Sequence, residues 1–352
     1  MKTIKNWSIT CACALMLCAV TAKAQNVEDM SSFLSAAPAD ASKLVSAYMT
    51  PVVKSLSYGL TGGWYHTAKA HKTAGIDIGF SVNAVFIPTS ENYFTPGSLG
   101  LKTITGFNNS TTGTQQAPTI VGPDDKTTYT SSYDPGGGVG PQSVNFNGPG
   151  GFDLKKNLGF AALPAPMAQI GIGIIKDTDI KIRYVPQIHS GSSSVSMFGI
   201  GVLHDIKQHI PGIKLAPFDL SGFVGFTTLS GNTGITMSAP ANPTSTNGGL
   251  NYKFNSWVIQ GIISKKFSVL TLYGGLGWGT IATKVNFTGD YHVTAAPAGS
   301  FTVTNPVSIN VSNSSLKLTV GMRLKFGPLY LNGDYTLQKY NALSVGLGLS
   351  FR

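Results

Sequence analysis

Charge is scarce in this chain of 352 residues: Asp, Glu, Lys and Arg make up 11%, less than half of the roughly one quarter found in a soluble domain. A surface facing water on all sides needs more, so composition argues against an ordinary soluble enzyme. Long hydrophobic runs are also missing. The nearest candidate beyond the N-terminus, Leu158 to Ile175, is broken by Pro164, Pro166, Gln169, Gly171 and Gly173, well short of the roughly 18 unbroken apolar residues a membrane helix needs. Cysteine is confined to Cys11, Cys13 and Cys18. Glycine, by contrast, is plentiful at 42 residues.

The start of the chain predicts export. Met1 to Lys5 is basic, Trp7 to Val20 is apolar, and Ala22-Lys23-Ala24 places small residues before Gln25, the order of a cleavable secretory signal over residues 1–24. Leu17 precedes Cys18 where a lipoprotein site needs a small residue. Cleavage removes all three cysteines, leaving no disulfide, thiol nucleophile or cysteine metal ligand. Lys2, Lys5 and Lys23 leave with the signal, so net charge falls from +10 to +7. With no run of Lys and Arg, no nucleic-acid partner is expected.

Residues 25–55 read as a short helical element. Phe33 and Leu34 stand at helical spacing, Pro38 interrupts, Asp40 or Ser42 can cap, and Leu44, Tyr48 and Val52 repeat every four residues. Pro51 should end or kink the helix. We expect this element to cap or plug the periplasmic end of the strand-rich remainder of the chain, with Phe33, Leu34, Leu44, Tyr48 and Val52 as its packing face.

From residue 56 to 352 the period becomes two. Ile76, Ile78, Phe80 and Val82 alternate with Asp77, Gly79, Ser81 and Asn83; Leu316, Leu318, Val320 and Met322 alternate with Lys317, Thr319, Gly321 and Arg323; the pattern holds to Leu349 and Phe351. Long strands with one greasy face suit a hydrocarbon layer, where only a closed barrel leaves no unpaired edge. The expectation is an all-β, transmembrane antiparallel up-and-down barrel of about twelve strands, within a range of ten to fourteen. One strand is expected in 96–107, with long outer loops at 232–248 and 288–314 and a large outer loop at about 108–157. Tyr58, Trp64, Tyr65, Tyr184, Trp257, Tyr273, Trp278 and Tyr340 are placed in interfacial girdles. Lumen-lining candidates are Asp77, Lys181, Arg183, Lys317, Arg323, Lys325 and Asp334, forming either a structural network or a polar path.

Catalytic patterns are weak. No serine lies in a G-x-S-x-G elbow, Pro135–Gly140 lacks the context of a phosphate loop, and His66, His71, His204, Asp205 and His209 match no metal-ligand spacing. No cofactor, metal site or catalytic residue is expected. An outer-membrane hydrolase would need Ser, His and an acid meeting at the outer rim.

Leu163-Pro-Ala-Pro-Met-Ala-Gln-Ile-Gly-Ile-Gly173, Lys176-Asp-Thr-Asp-Ile-Lys-Ile-Arg-Tyr184 and Gly348-Leu-Ser-Phe351-Arg352, after an N-terminal helical segment, resemble an uncharacterised family of Gram-negative outer-membrane barrels. More distantly, the chain is similar to outer-membrane long-chain fatty acid transporters. The resemblance implies a plugged barrel passing hydrophobic molecules toward a lateral opening, with Phe351 near an insertion signal read by the barrel-assembly machinery. Its surroundings would be the lipid bilayer and lipopolysaccharide. The leading expectation is a conduit for a small hydrophobic solute, gated by the N-terminal segment. The alternative is a non-transporting structural, adhesive or partner-binding barrel. Oligomeric state is left open.

Overall fold

Strands with one apolar and one small or polar face close on themselves here, in a computed structural model that describes residues 32–33, 36, 38–109, 113–133, 140, 142–235, 244–295 and 299–351. The signal segment 1–24 and the plug candidate Leu34 lie outside the described residues. β1 (Ile76–Phe86) pairs with β7 (Ala162–Ile174) on one side and β16 (Ala342–Phe351) on the other. From β7 the sheet passes through β8 (Thr178–Ser190), β9 (Ser193–Asp205), β10 (Asp219–Gly234), β11 (Thr244–Phe267), β12 (Leu270–Ala295), β14 (Val307–Phe326) and β15 (Leu329–Leu337) back to β16. Every neighbour is antiparallel. β13 (Gly299–Thr304) folds back only on β12. The ring therefore has ten strands, the lower edge of the expected range, not twelve.

The strand expected in 96–107 is not in the wall. Pro96–Leu99 is a single 3-10 turn, and β3 (Ile104–Asn109) joins β5 (Thr127–Tyr133) and β6 (Gln142–Asn147) in a separate small sheet. Ile104 instead joins the apolar cluster that includes Leu44, Val45 and Tyr48 of the N-terminal helix, and Leu99 and Leu101 pack against that cluster. This small sheet, with β2 (Tyr93–Phe94), β4 (Ala117–Pro118) and α2 (Leu154–Leu158), gives structure to the stretch expected to be a loose loop. The loops expected at 232–248 and 288–314 are also shortened, because β11 runs for 24 residues and β12 for 26.

The ends of the barrel differ. Connections at 175–177, 206–218, 268–269 and 327–328 lie at one end, and the insertion 87–161 stands at the other with the short turns 191–192 and 338–341 and the prolonged parts of β10 to β14; we call these the short-turn end and the wide end. The outer wall is apolar and exposed: Ile259 (58%), Val320 (62%) and Leu347 (55%) belong to a belt around the ring, while Asp77, Asp179, Lys181, Arg183 and Lys317 point inward and are buried. A protein folded in water distributes these groups the other way round.

The N-terminal helix α1 (Pro38–Gly59) lies inside the ring, packed on β14, β7, β1, β12 and β11. Pro51 sits within it and does not end it. From Leu60 to Gly75 the chain descends through the lumen in irregular conformation and enters β1 at the short-turn end. Two expectations are corrected. The element extends to residue 75, not 55, and its helix occupies the wide end, not the short-turn end, because its apolar face packs against the inward residues of the prolonged strands, including Val285, Phe287 and Ile309. The girdle assignment is also corrected for Tyr58, Trp64, Tyr65, Tyr273 and Tyr340, which are buried inside. Tyr58, Trp64 and Tyr65 belong to the threaded segment, Tyr273 faces inward, and Tyr340 stacks on Tyr58. Tyr184, Trp257 and Trp278 do face outward.

Candidate functional site

An irregular segment inside a barrel exposes backbone groups that neither helix nor ladder satisfies, each costly to bury unpaired. The wall supplies their partners. Arg183 donates to the carbonyls of Leu60 (3.0 Å) and Gly62 (2.6 Å) and to Gln169 Oε1 (3.2 Å), with its guanidinium 3.6 Å from the Trp64 ring centre. Lys317 Nζ donates to Thr61 O (3.1 Å) and Oγ1 (2.6 Å). Gln169 donates to Trp64 O (3.1 Å), Asn83 to Gly59 O (2.8 Å), and Ala68 N–H donates to Ser264 Oγ (2.9 Å). Trp64, Tyr65, Phe223 and Tyr273 fill the space between these polar contacts. Around Thr61 to Tyr65 lies a cavity of about 10 Å³, room for about one water.

At the short-turn end an acidic and histidine cluster holds the chain. His71 N–H donates to Asp179 Oδ1 (2.8 Å), its Nδ1 donates to Oδ2 (2.8 Å), and its Nε2 lies 3.2 Å from Ser350 Oγ. His66 Nε2 lies 3.2 Å from Asp77 Oδ2, and the Tyr330 hydroxyl donates to Asp77 Oδ1 (3.1 Å). Asp179, His71 and Ser350 stand in the hydrogen-bonding order of an acid, base and nucleophile. Ser350 is only 2% exposed, however, and His71 1%, so this cluster is built as a clasp on the threaded chain.

The lumen candidates fall where alternation places them. Asp77, Lys181, Arg183, Lys317, Arg323 and Asp334 are buried inside, and Lys325 is half-buried, donating to Ser350 O (2.8 Å). Arg323 lies 4.7 Å from the Tyr330 ring centre, Tyr273 donates to Asp334 (2.9 Å), and Lys181 Nζ passes over Gly171 beside Asp77. Sequence reasoning missed the partners. Arg183 and Lys317 chiefly hold backbone carbonyls of residues 60–62, which no side-chain pattern displays. Asn83, Gln169, Asp179 and Ser264 were missed for the same reason.

Above Arg183 the lumen becomes apolar. Leu44, Val45, Tyr48 and Val53 of α1, with Phe33 and Leu60, join Ala165 and Met167 of β7, Val185 of β8, Met197 of β9 and Phe254 of β11 in one cluster. Val52 is partly buried against a neighbouring cluster. The helix is anchored through Asp40, whose carboxylate accepts from the N–H groups of Lys102 (2.9 Å) and Thr103 (2.6 Å) and from the Thr103 hydroxyl (2.7 Å). Burial opposes ionisation of Asp40, but these donors and the Ile104 N–H outweigh it and hold the carboxyl below its ordinary range.

Beside this apolar tier the wall has a seam. The β7–β8 ladder ends at Gln169 opposite Arg183, whereas β1–β7 pairing continues to Phe86 opposite Ala162 and β8–β9 pairing to Ser190 opposite Ser193. Residues 162–168 and 184–190 thus have no ladder between them. Proline explains it: Pro164 and Pro166, two residues apart, remove donors from one edge of β7, and Pro186 removes another within the β8 bulge between Val185 and Ile188. On the outer face beside the seam, a groove of about 220 Å³ is lined by Tyr184, Pro186, Ser196, Phe198, Thr228 and Ser230 among others.

This architecture defines a closed antiparallel barrel whose own N-terminal chain runs through the lumen. The chain belongs to the family of unknown function DUF6588, whose profile matches residues 1–351. No curated protein matches it. Among solved structures it is similar to Ail, the attachment invasion locus protein of Yersinia pestis, at 8% identity, covering 79% of this chain and 98% of that one with a TM-score of 0.25. The translocator domain of autotransporter NalP from Neisseria meningitidis is similar at 10% identity, with 86% and 94% covered and a TM-score of 0.28. The transport unit of AIDA-I from Escherichia coli stands at 8%, with 87% and 99% covered and a TM-score of 0.28. These likenesses do not single out the fatty acid transporters, and at such scores nothing functional is carried over from them.

Proposed function

We propose that this is a bacterial outer-membrane barrel that exchanges a small apolar molecule between the apolar tier around α1 and the lipid layer, through the seam between β7 and β8. The apolar outer belt and the long connections at one end support the membrane reading, with the wide end outward. The threaded segment that fills the lower lumen supports the lateral exit that the resemblance to the fatty acid transporters implies. The observation that carries it is the end of the β7–β8 ladder at Gln169–Arg183, the level at which charged wall residues give way to Ala165, Met167 and Val185. An edge stripped of N–H donors by Pro164 and Pro166 also lies against hydrocarbon at lower cost than an ordinary strand edge. Phe351, exposed on the outer face of the last strand, suits recognition by the barrel-assembly machinery, and lipopolysaccharide would surround the wide end.

The test is a disulfide across the seam. Ala168→Cys with Tyr184→Cys occupies the first positions beyond the ladder, in a chain whose only cysteines precede residue 25. Proteoliposomes bearing the pair should take up N-phenylnaphthylamine slowly when oxidised and at the unmodified rate after reduction. Uptake indifferent to oxidation, with the cross-link verified, would favour the alternative of a non-transporting barrel acting through its wide-end surface.

A further inference from the structure

We propose that the start of α1 at Pro38 stands at the cell surface, so that the barrel carries its own N-terminal helix across the membrane it spans. The proposal rests on the outer-membrane reading above and adds the direction of threading. The α1 start is fixed at the wide end by several contacts: Asp40 accepts from residues 102–103 of the wide-end insertion, Lys43 donates to Gly100 O, and Phe33 packs edge-on to Tyr129 of β5 at 5.7 Å between ring centres. Tyr48, about two turns below Asp40, donates to Gly150 O (2.8 Å) of the same insertion. The opposite end of the segment is fixed as firmly. His71 is clasped by Asp179, and Ala74 N–H donates to Gly173 O (2.9 Å) next to the first pairs of β1.

The polarity has a route. Residues 59–66 run down alongside β1 as it runs up: Asn83 meets Gly59, Ser81 and Asn83 crowd Gly63, and Asp77 meets His66. The lumen segment and β1 thus form a hairpin bent at Lys72–Gly75, where Gly75 N–H donates to Lys72 O (2.8 Å). Insertion as a hairpin carries the segment in alongside β1 and places the start of α1 on the far side together with the wide-end insertion.

The absence of cysteine after residue 18 makes single-cysteine labelling direct. Full-length chains would carry Ala39→Cys at the exposed start of α1, Ser143→Cys on the exposed wide-end sheet, or Lys266→Cys near a short turn. Heat-modifiable gel mobility reports that each has folded, and a protease site placed before Pro38 gives an independent readout. On intact cells, a membrane-impermeant maleimide is expected to label Ala39→Cys as fully as Ser143→Cys, with Lys266→Cys labelled only after permeabilisation, and the protease site is cut from outside. Labelling of Ser143→Cys without Ala39→Cys, and an uncut site, overturns the threading proposal alone. Labelling of Lys266→Cys but not Ser143→Cys on intact cells overturns the membrane orientation and the proposal with it.

Discussion

Replacing Arg183 with methionine tests the seal at its strongest point. The guanidinium is fully buried, holds two plug carbonyls at 3.0 and 2.6 Å and stacks on Trp64 at 3.6 Å. Methionine keeps the unbranched stem but supplies no donor. Hydrogen bonds from a charged group contribute roughly 1.5–3 kcal/mol each, and a desolvated cation–π contact about 2 kcal/mol. Relief of the guanidinium's own burial offsets part of this sum, so a net weakening of plug retention of roughly 3–4 kcal/mol is reasonable. That corresponds to about a 10²–10³-fold rise in the plug-released population. Arg183→Lys should fall between, because one ammonium cannot reproduce the planar fork that meets both carbonyls. Single-channel recording of refolded protein is the assay. The native barrel should be silent and Arg183→Met should show openings, while the thermal midpoint of the wall changes little, since the ladders flanking β8 use backbone groups alone. An Arg183→Met barrel as silent as the native one, with amides of residues 60–68 equally protected from exchange, would refute the reasoning.

Other outcomes are expected from the same geometry. Asp40→Asn should weaken docking of the helix start by roughly 1–3 kcal/mol, seen as faster amide exchange at Lys102 to Ile104. Because the Asp40 carboxyl lies below its ordinary value of 3.8 when folded, its contribution is present above that value and is lost as pH falls below it; acidification should release the same amides. Replacing Pro164 and Pro166 together with threonine restores two donors to the β7 edge, so residues 162–168 should gain exchange protection and N-phenylnaphthylamine uptake should slow. Ser350, clasped and buried, should not react with a fluorophosphonate probe; stoichiometric labelling there would instead mark a hydrolase.

The wall of the barrel was legible because alternation is a local property. The period-two runs from Ile76 and from Leu316 both became wall strands with the expected residues outward. The N-terminal helix was legible from Leu44, Tyr48 and Val52, but its end was not. Pro51 signals a stop locally, yet the surrounding wall supports the turns beyond it as far as Gly59. The aromatics show the limit most clearly: Trp64 and Tyr65 carry the composition of an interfacial girdle, and only the path of the chain through the lumen makes them filler against Phe223. The donors from Arg183 and Lys317 to residues 60–62 join positions more than a hundred residues apart through backbone oxygen, for which sequence holds no sign. The seam was written locally, in Leu163-Pro-Ala-Pro166, but a proline's missing donor acquires meaning only once the neighbour it fails to pair with is known to be β8.

Location of a bound apolar molecule tests the central claim most directly. Crystals of the full barrel soaked with bromobenzene would be measured at the bromine absorption edge, in the native form and in the oxidised Ala168→Cys, Tyr184→Cys form. The expected result is anomalous density beside Met167, Val185 and Met197 or in the groove between Tyr184 and Phe198, with the seam-side peak lost in the cross-linked barrel. Bromine on the barrel axis between Thr61 and Gly75, or density that ignores the cross-link, would contradict a sealed lumen with lateral exchange.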